Sequence, residues 1–571
     1  MLNSDAPAYS EISRDARLYA ERAARSVSEI QGNISSVTDI LVFLEVLGYD
    51  ESAVSKYGFP NLTEFARYIF DFLDFVSPPN RPQDSVVLQP GTPRKRKGHA
   101  IRFLEGLALA VPILAMLAVL FVFGVSLWMA RILPITITTA FLGGVFLGIL
   151  ICEGPMQAFT RMFAFYYSQN NLGEVKRTIR RNEYFVGTAL LVSTMFLLAV
   201  SFMGGIPLGL AAIAIFSFVT IGAHRSSYLV IFSLRKLGQI VVTYIIALGA
   251  LVVVYLDMPS YMIGWAMRFI PLSIVYSIGS IATFELLFRY FLALLVAFVI
   301  LSIPASYYRS KIMKSKTTIP SAAPRFYAPL SVGDRTVKSR LGVQLWETLP
   351  YFIFGTFFFL MIFADRIISW IFNPLVANYS SLPLAFNSTY HTGADPALII
   401  LLVTTIVSYV LLSPIYDELG DSSTRITIGK SEAIEATLQK TYNILLIVTM
   451  LTATSVAFIV NYEGVVIMDF LRGGIVSLQI LRVASIGDIF ISIFFVNAMF
   501  LTLVNRIKIP ALISIVCVGI VVVLGTLFGL VGFEYIIWAY LLSSFVAMIT
   551  STAYCVRIRG DYSNLFLGRY V

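Results

Sequence analysis

The chain has 571 residues, of which 57% are hydrophobic and 13% charged, against about 45–50% and about 25% in ordinary soluble domains. With a mean hydropathy of +0.81, that composition excludes a string of soluble domains and points to a polytopic membrane protein. The net charge of +9 is unevenly placed: residues 1–93 hold seven basic and thirteen acidic residues, so the remainder carries the basic excess, as loops at an anionic membrane face do.

Residues 1–76 read as a small helical cytoplasmic domain. Ile12, Ala16, Tyr19, Ala23 and Val27 recur at helical spacing, Asp39 to Leu47 is a second apolar stretch, and Asn61 with Glu64 forms a capping box ahead of Phe65, Ile69, Phe72 and Leu73. The polar first 35 residues are not a secretory signal. A Pro-rich basic linker follows at 77–103, with Arg94-Lys95-Arg96-Lys97 as a juxtamembrane anchor on the cytoplasmic side. Apolar windows then recur near 106–130, 135–153, 184–203, 206–223, 236–256, 261–282, 286–307, 348–371, 396–416, 441–461, 482–504, 509–531 and 534–555.

Thirteen windows conflict with the distribution of basic residues. The loops after the second window (Lys176, Arg177, Arg180, Arg181) and the fourth (Arg225, Arg235, Lys236) belong inside, and so do the eight basic residues of 308–347; 372–394 has no Lys or Arg and reads as external. Six crossings on each side of the connector satisfy the rule. The stretch 258–307 then supplies one span and one re-entrant or peripheral helix, since Arg268 and Pro271 weaken 261–282 and Glu285/Arg289 marks a polar break. Asn378-Tyr-Ser380 and Asn387-Ser-Thr389 match the N-glycosylation pattern within that external loop.

The expected fold is therefore an all-α polytopic membrane protein of two six-helix lobes, with both termini in the cytoplasm. Its parts are the domain at 1–76, the linker at 77–103, an N-terminal lobe at 104–307, a basic cytoplasmic connector at 308–347, a C-terminal lobe at 348–557 and a tail at 558–571.

Enzyme signatures are missing. There is no HExxH or GxSxG, His99, His224 and His391 are far apart, and Cys152, Cys517 and Cys555 have no metal-ligand spacing. The P-loop lookalike Thr424 to Ser431 lacks its first glycine. The expectation is a non-enzyme without metal, cofactor or nucleic-acid partner, driven by an ion or substrate gradient.

An ionisable side chain in hydrocarbon costs about 2.5–3.5 kcal/mol on insertion scales, so each one retained needs a reason. Three groups stand out: Glu153, Gln157 and Arg161 at the end of the second window, Asp365 and Arg366 near the end of the eighth, and Arg482, Asp488 and Asn497 in the eleventh. Arg161, Gln157, Arg366, Arg482 and Asn497 are candidate substrate-binding residues in a cleft between the lobes, and Glu153, Asp365 and Asp488 are candidate ion-coupling residues. The competing reading is that they pair with one another or reach for the interface from segment ends. The Gly-rich sets Gly143, Gly144, Gly148 and Gly204, Gly205, Gly209 read as close helix packing.

The run Glu153-Gly-Pro-Met-Gln-Ala-Phe-Thr-Arg161, followed by basic residues up to Arg181, resembles the multidrug/oligosaccharidyl-lipid/polysaccharide (MOP) superfamily. Within it the likeness is greatest to the membrane subunit of the Pel exopolysaccharide exporter. Ala364-Asp365-Arg366-Ile-Ile-Ser-Trp370, Ala394-Asp395-Pro396, and Asn497 with Asn505-Arg506 echo that family's second-half motifs. The resemblance covers roughly 100–560. It implies two lobes that alternate access to a central cavity, and a flippase moving lipid-linked oligosaccharide or polysaccharide across the cytoplasmic membrane. The N-terminal domain and the extra apolar window depart from the family pattern, and the long cytoplasmic insertion of the Pel subunit is missing. An ion-coupled multidrug (MATE-like) extruder, and a scaffold recruiting a cytoplasmic glycosyltransferase through residues 1–76, are the alternatives.

Overall fold

The computed structural model describes residues 16, 18–24, 37, 40–41, 44, 49, 51–76, 99–127, 133–168, 172–258, 264, 268, 281–315, 341–378, 384–422 and 431–562. The chain divides into two compact units, Met1–Arg96 with Thr318–Thr336, and Lys97–Thr317 with Val337–Val571.

In the small unit, Ala16, Ala20, Ala23 and Ala24 are buried with Ile40, Leu44, Phe65 and Ile69. Alanines let helices approach closely, and the Tyr19 ring stacks on Tyr57 at 3.9 Å between centroids. A short helix α1 (Glu51–Ser55) precedes α2 (Leu62–Val76). The capping box is half formed: Asn61 Oδ1 accepts from the Glu64 amide at 2.7 Å, while the Glu64 carboxylate pairs with Arg67 at 3.0 Å.

The large unit is a helical bundle. Its first set is α3 (His99–Phe123), α4 (Ile135–Ser168), α5 (Leu172–Phe202), α6 (Leu208–Ser233), α7 (Leu237–Asp257) and α8 (Ile281–Lys314). The second is α9 (Leu341–Ile371), the short α10 (Ser388–Ala394) leading into α11 (Ile399–Ser422), α12 (Ser431–Tyr462), the short α13 (Gly464–Leu471), α14 (Ile475–Leu503), α15 (Lys508–Gly529) and α16 (Ile536–Arg557). Among the described residues eleven helices are long and apolar enough to cross a membrane, and the bent α3 makes twelve. Six precede the connector and six follow it. The two parts of α3, Arg102–Ala108 and Ala110–Leu120, meet at 46°. Pro112 explains the bend, because it has no N–H for the carbonyl four residues back and its ring crowds that carbonyl.

The helices extend past the apolar windows. Arg225 lies inside α6, and Lys176 to Arg181 lie in the first turns of α5, so these basic residues sit on helices and not in loops. The Glu285/Arg289 pair does not mark a break: the two side chains bond at 2.8 Å on an unbroken α8. Most of the 261–282 window, the linker up to residue 98, the connector at 316–340 and the P-loop lookalike up to Lys430 lie outside the described residues, and the last five residues of the linker belong to α3.

Within the first lobe α4 crosses α6 through glycine. A Cβ on Gly144 would lie 2.0 Å from Ser217 Oγ, which itself donates to the Phe141 carbonyl at 2.9 Å. The lobes meet along two seams, α4 against α9 and α3 against α11. Each seam joins the first span of one lobe to the second span of the other, the reciprocal arrangement that paired lobes related by a pseudo-twofold produce.

Candidate functional site

Among the described residues, the richest polar cluster lies inside the second lobe. The C-terminal part of α9 carries Asp365 and Arg366, both fully buried. After α9 the chain folds back: Asn373 Nδ2 donates to the carbonyls of Ala385 and Phe386, and Asn387 caps α10 by accepting from the Tyr390 amide at 3.0 Å. That return brings Tyr390, His391 and Asp395 against the end of α9. It also corrects the glycosylation reading of Asn387: the side chain is 3% exposed and holds a helix terminus, so no glycan fits on it in this fold.

Arg366 is engaged on every side. Its Nε donates to Asp395 at 2.8 Å, Nη1 to Asp365 at 3.0 Å and to the Ile362 carbonyl, and Nη2 to the Ala394 carbonyl. Tyr390 donates to Asp365 at 2.7 Å. Asp395 also meets His391 Nδ1 at 2.8 Å, and Trp370 Nε1 donates to the other ring nitrogen of that histidine. A ring nitrogen that accepts from tryptophan carries no proton, so this geometry requires the neutral histidine with its proton on Nδ1, directed at Asp395. From α14, Asp488 accepts from Tyr540 of α16, while its other carboxylate oxygen is buried and has no partner among the described residues. The Tyr540 ring stands 5.9 Å from the Arg366 guanidinium and joins the two carboxylate centres.

This cluster reaches the α4/α9 seam. Phe146 of α4 stacks on Trp370 at 5.4 Å and on Phe363 at 4.8 Å. Farther along, Gly154 and Gly355 bring the two helices into backbone contact: a Cβ on Gly154 would lie 2.3 Å from Thr356 Oγ1, and one on Gly355 2.9 Å from the Glu153 carbonyl. The Arg161 guanidinium lies 5.7 Å over the Tyr351 ring, and Met162 touches Thr348. At the opposite end the Phe386 amide donates to Thr139 at 2.8 Å. The seam is closed along its length.

The predicted residues therefore separate. Asp365, Arg366 and Asp488 come together. Glu153 belongs to a first-lobe cluster, where it accepts from Arg225 at 2.5 Å and from Gln157 at 3.3 Å. Arg161 sits on the seam away from both clusters. Arg482 is exposed on α14, and Asn497 is buried nine residues beyond Asp488, about half a turn round the helix. There Asn497 clamps three helices, accepting from Tyr442 and donating to Ser551 and Thr552. Sequence reasoning missed Tyr390, His391, Asp395, Tyr540 and Arg225 as members of these clusters. Arg225 looked like a loop cation only because its apolar window ended early.

Solved structures share this architecture. A MATE in the straight conformation superposes with a TM-score of 0.52 at 10% identity, over 82% of this chain and 97% of that one. The chain has the fold of MATE transporters of the MOP superfamily. An outward-facing MATE family transporter of that superfamily gives 0.52 at 10% identity with the same coverage. A MOP superfamily transporter from Pyrococcus furiosus, described as having a binding pocket of reverse polarity, gives 0.54 at 10% identity over 82% and 97% of the two chains. No family model matches the sequence, and no curated protein matches it.

Proposed function

We propose that the protein is an alternating-access membrane transporter in which the Asp365–Arg366–Asp395–Asp488 cluster couples an ion to the movement of the lobes. The observation that carries this reading is the Asp488 carboxylate, buried within a membrane-level bundle with one oxygen unpartnered. A buried carboxylate short of a donor is costly unless a proton or cation visits it. Loading that group alters the charge beside Arg366, whose network runs through Asp395, His391 and Trp370 to the Phe146 contact between lobes. Arg366 then serves as the fixed counter-charge.

The cargo we assign is a lipid-linked oligosaccharide or polysaccharide, moved outward across the cytoplasmic membrane. The support is the run Glu153 to Arg161 and the second-half motifs, together with Arg161 at the lobe seam as a cation for a phosphate or acidic sugar. A specific observation favours the drug-extruder reading as the second: the cluster holds three carboxylates against one guanidinium already engaged by protein groups, an acidic balance that suits a cationic cargo.

The test is transport by the purified protein in vesicles, with a fluorescent lipid-linked sugar in one arm and a cationic dye in the other, under imposed proton and sodium gradients. The proposal expects gradient-driven sugar-lipid translocation that Asp488→Asn abolishes. Dye transport alone establishes the second reading, and transport of neither removes the transporter assignment.

A further inference from the structure

On the first lobe, α5, α6 and α8 part to leave a crevice of about 230 Å³. Its floor is apolar, made by Val186, Leu190, Leu229 and Ala305, and its mouth carries Glu183 and Arg309. Around the mouth the outer surface is apolar and aromatic: Ile303 and Tyr307 are exposed, and Tyr184 is 79% exposed. Seven basic against two acidic residues between 174 and 314 on the ends of α5 and α8 set this level near the basic face of the bundle. By the distribution of positive charge that is the cytoplasmic leaflet.

Asn182, 1% exposed, lines the crevice. Its Nδ2 donates to Ser226 Oγ at 2.9 Å and to the Ser226 carbonyl at 3.4 Å. The carbonyl can only accept, so the amide nitrogen faces Ser226, and Asn182 Oδ1 remains buried without a donor among the described residues. An unfilled acceptor beside an apolar slot calls for an N–H or O–H from outside the protein. At the mouth, Arg309 Nε and Nη2 meet the Glu183 carboxylate, with Nη2 at 2.7 Å. One cation and one anion side by side are the complement of a zwitterion.

We infer that this crevice binds a phosphatidylethanolamine molecule, with an acyl chain on the apolar floor, the phosphate at Arg309 and the ammonium shared between Glu183 and Asn182 Oδ1. Phosphatidylcholine has the same charges but no N–H to donate, and phosphatidylglycerol has a phosphate and hydroxyls but no positive charge for Glu183. The inference is independent of the cargo, because none of these residues belongs to the clusters assigned to coupling.

The experiment is lipid retention by the full-length protein in detergent, read by native mass spectrometry against equimolar phosphatidylethanolamine, phosphatidylcholine and phosphatidylglycerol. Phosphatidylethanolamine is expected to be retained about tenfold over phosphatidylcholine, the worth of roughly one hydrogen bond to a charged group. Asn182→Ala is expected to remove most of that preference. Gly187 lines the crevice with open space where a side chain would go, so Gly187→Leu is expected to fold and to block retention of all three lipids. Equal retention of phosphatidylethanolamine and phosphatidylcholine, a preference for phosphatidylglycerol, or unchanged binding in Gly187→Leu overturns the assignment. Should Asn182→Ala fail to fold, the Gly187 variant and the wild-type lipid series still decide it.

Discussion

Arg366 shows how a membrane protein keeps a full charge at low exposure: each guanidinium nitrogen has an oxygen partner, and two of those partners are carboxylates. Removing one member of such a pair is worse than removing both, because the survivor is left charged and desolvated. Arg366→Met is therefore expected to destabilise the protein by about 3–5 kcal/mol, and the double variant Asp365→Asn with Arg366→Met to recover part of that loss. Thermal unfolding in one detergent checks the order. Tyr540→Phe deletes the only donor to Asp488 among the described residues and is expected to cost about 1–3 kcal/mol; an unchanged midpoint contradicts the bond. Asp365, Arg366 and Asp488 were legible in the sequence because an ionisable residue in an apolar run announces itself. Tyr390 and Tyr540 were not, since tyrosines in such a chain also belong to lipid-facing belts, and His391 looked solitary until the chain return after α9 placed it beside Asp395.

Among elements, the α4/α9 seam depends on two glycines and the α4/α6 crossing on a third. The two kinds of contact predict different failures. Gly144→Val puts a side chain where Ser217 Oγ and the Ala214 carbonyl already stand, and overpacking of that kind costs about 1–3 kcal/mol or more within a lobe. Gly154→Leu instead pushes one lobe off the other. The lobes are expected to stay folded, while cross-linking of Met162→Cys to Thr348→Cys by a short bis-maleimide falls severalfold; an unchanged yield contradicts the close approach at Gly154. Helix positions were readable from apolar windows, and the count of six on each side only from the basic residues, but the true helix ends were not. The first turns of α5 are charged, and Arg225 lies inside α6 because the Glu153 carboxylate pairs with it there.

For the whole molecule, six candidate spans before the connector and six after it predict that the connector and both ends of the bundle share one side. Cys152, Cys517 and Cys555 are free and buried, so single introduced cysteines can be read against a silent background. Leu375→Cys, in the chain between α9 and α10, is expected to react with an impermeant maleimide from outside intact cells, and Lys311→Cys only after the cells are opened. Labelling of Lys311→Cys from outside would reverse the topology and remove the basis of the outward-export reading.

Composition and the placement of lysine and arginine were enough to determine a helical membrane protein of two six-span halves, because burial in hydrocarbon and the asymmetry of charged loops act on stretches of the chain about twenty residues long. Which polar residues share a site was decided only by the tertiary structure. Hydrogen bonds join Asp365 to Tyr390 and Asp488 to Tyr540 across 25 and 52 positions, and the path of the chain between α9 and α10 that brings some of them together depends on the asparagine caps and backbone bonds of that turn, which no hydrophobic periodicity records.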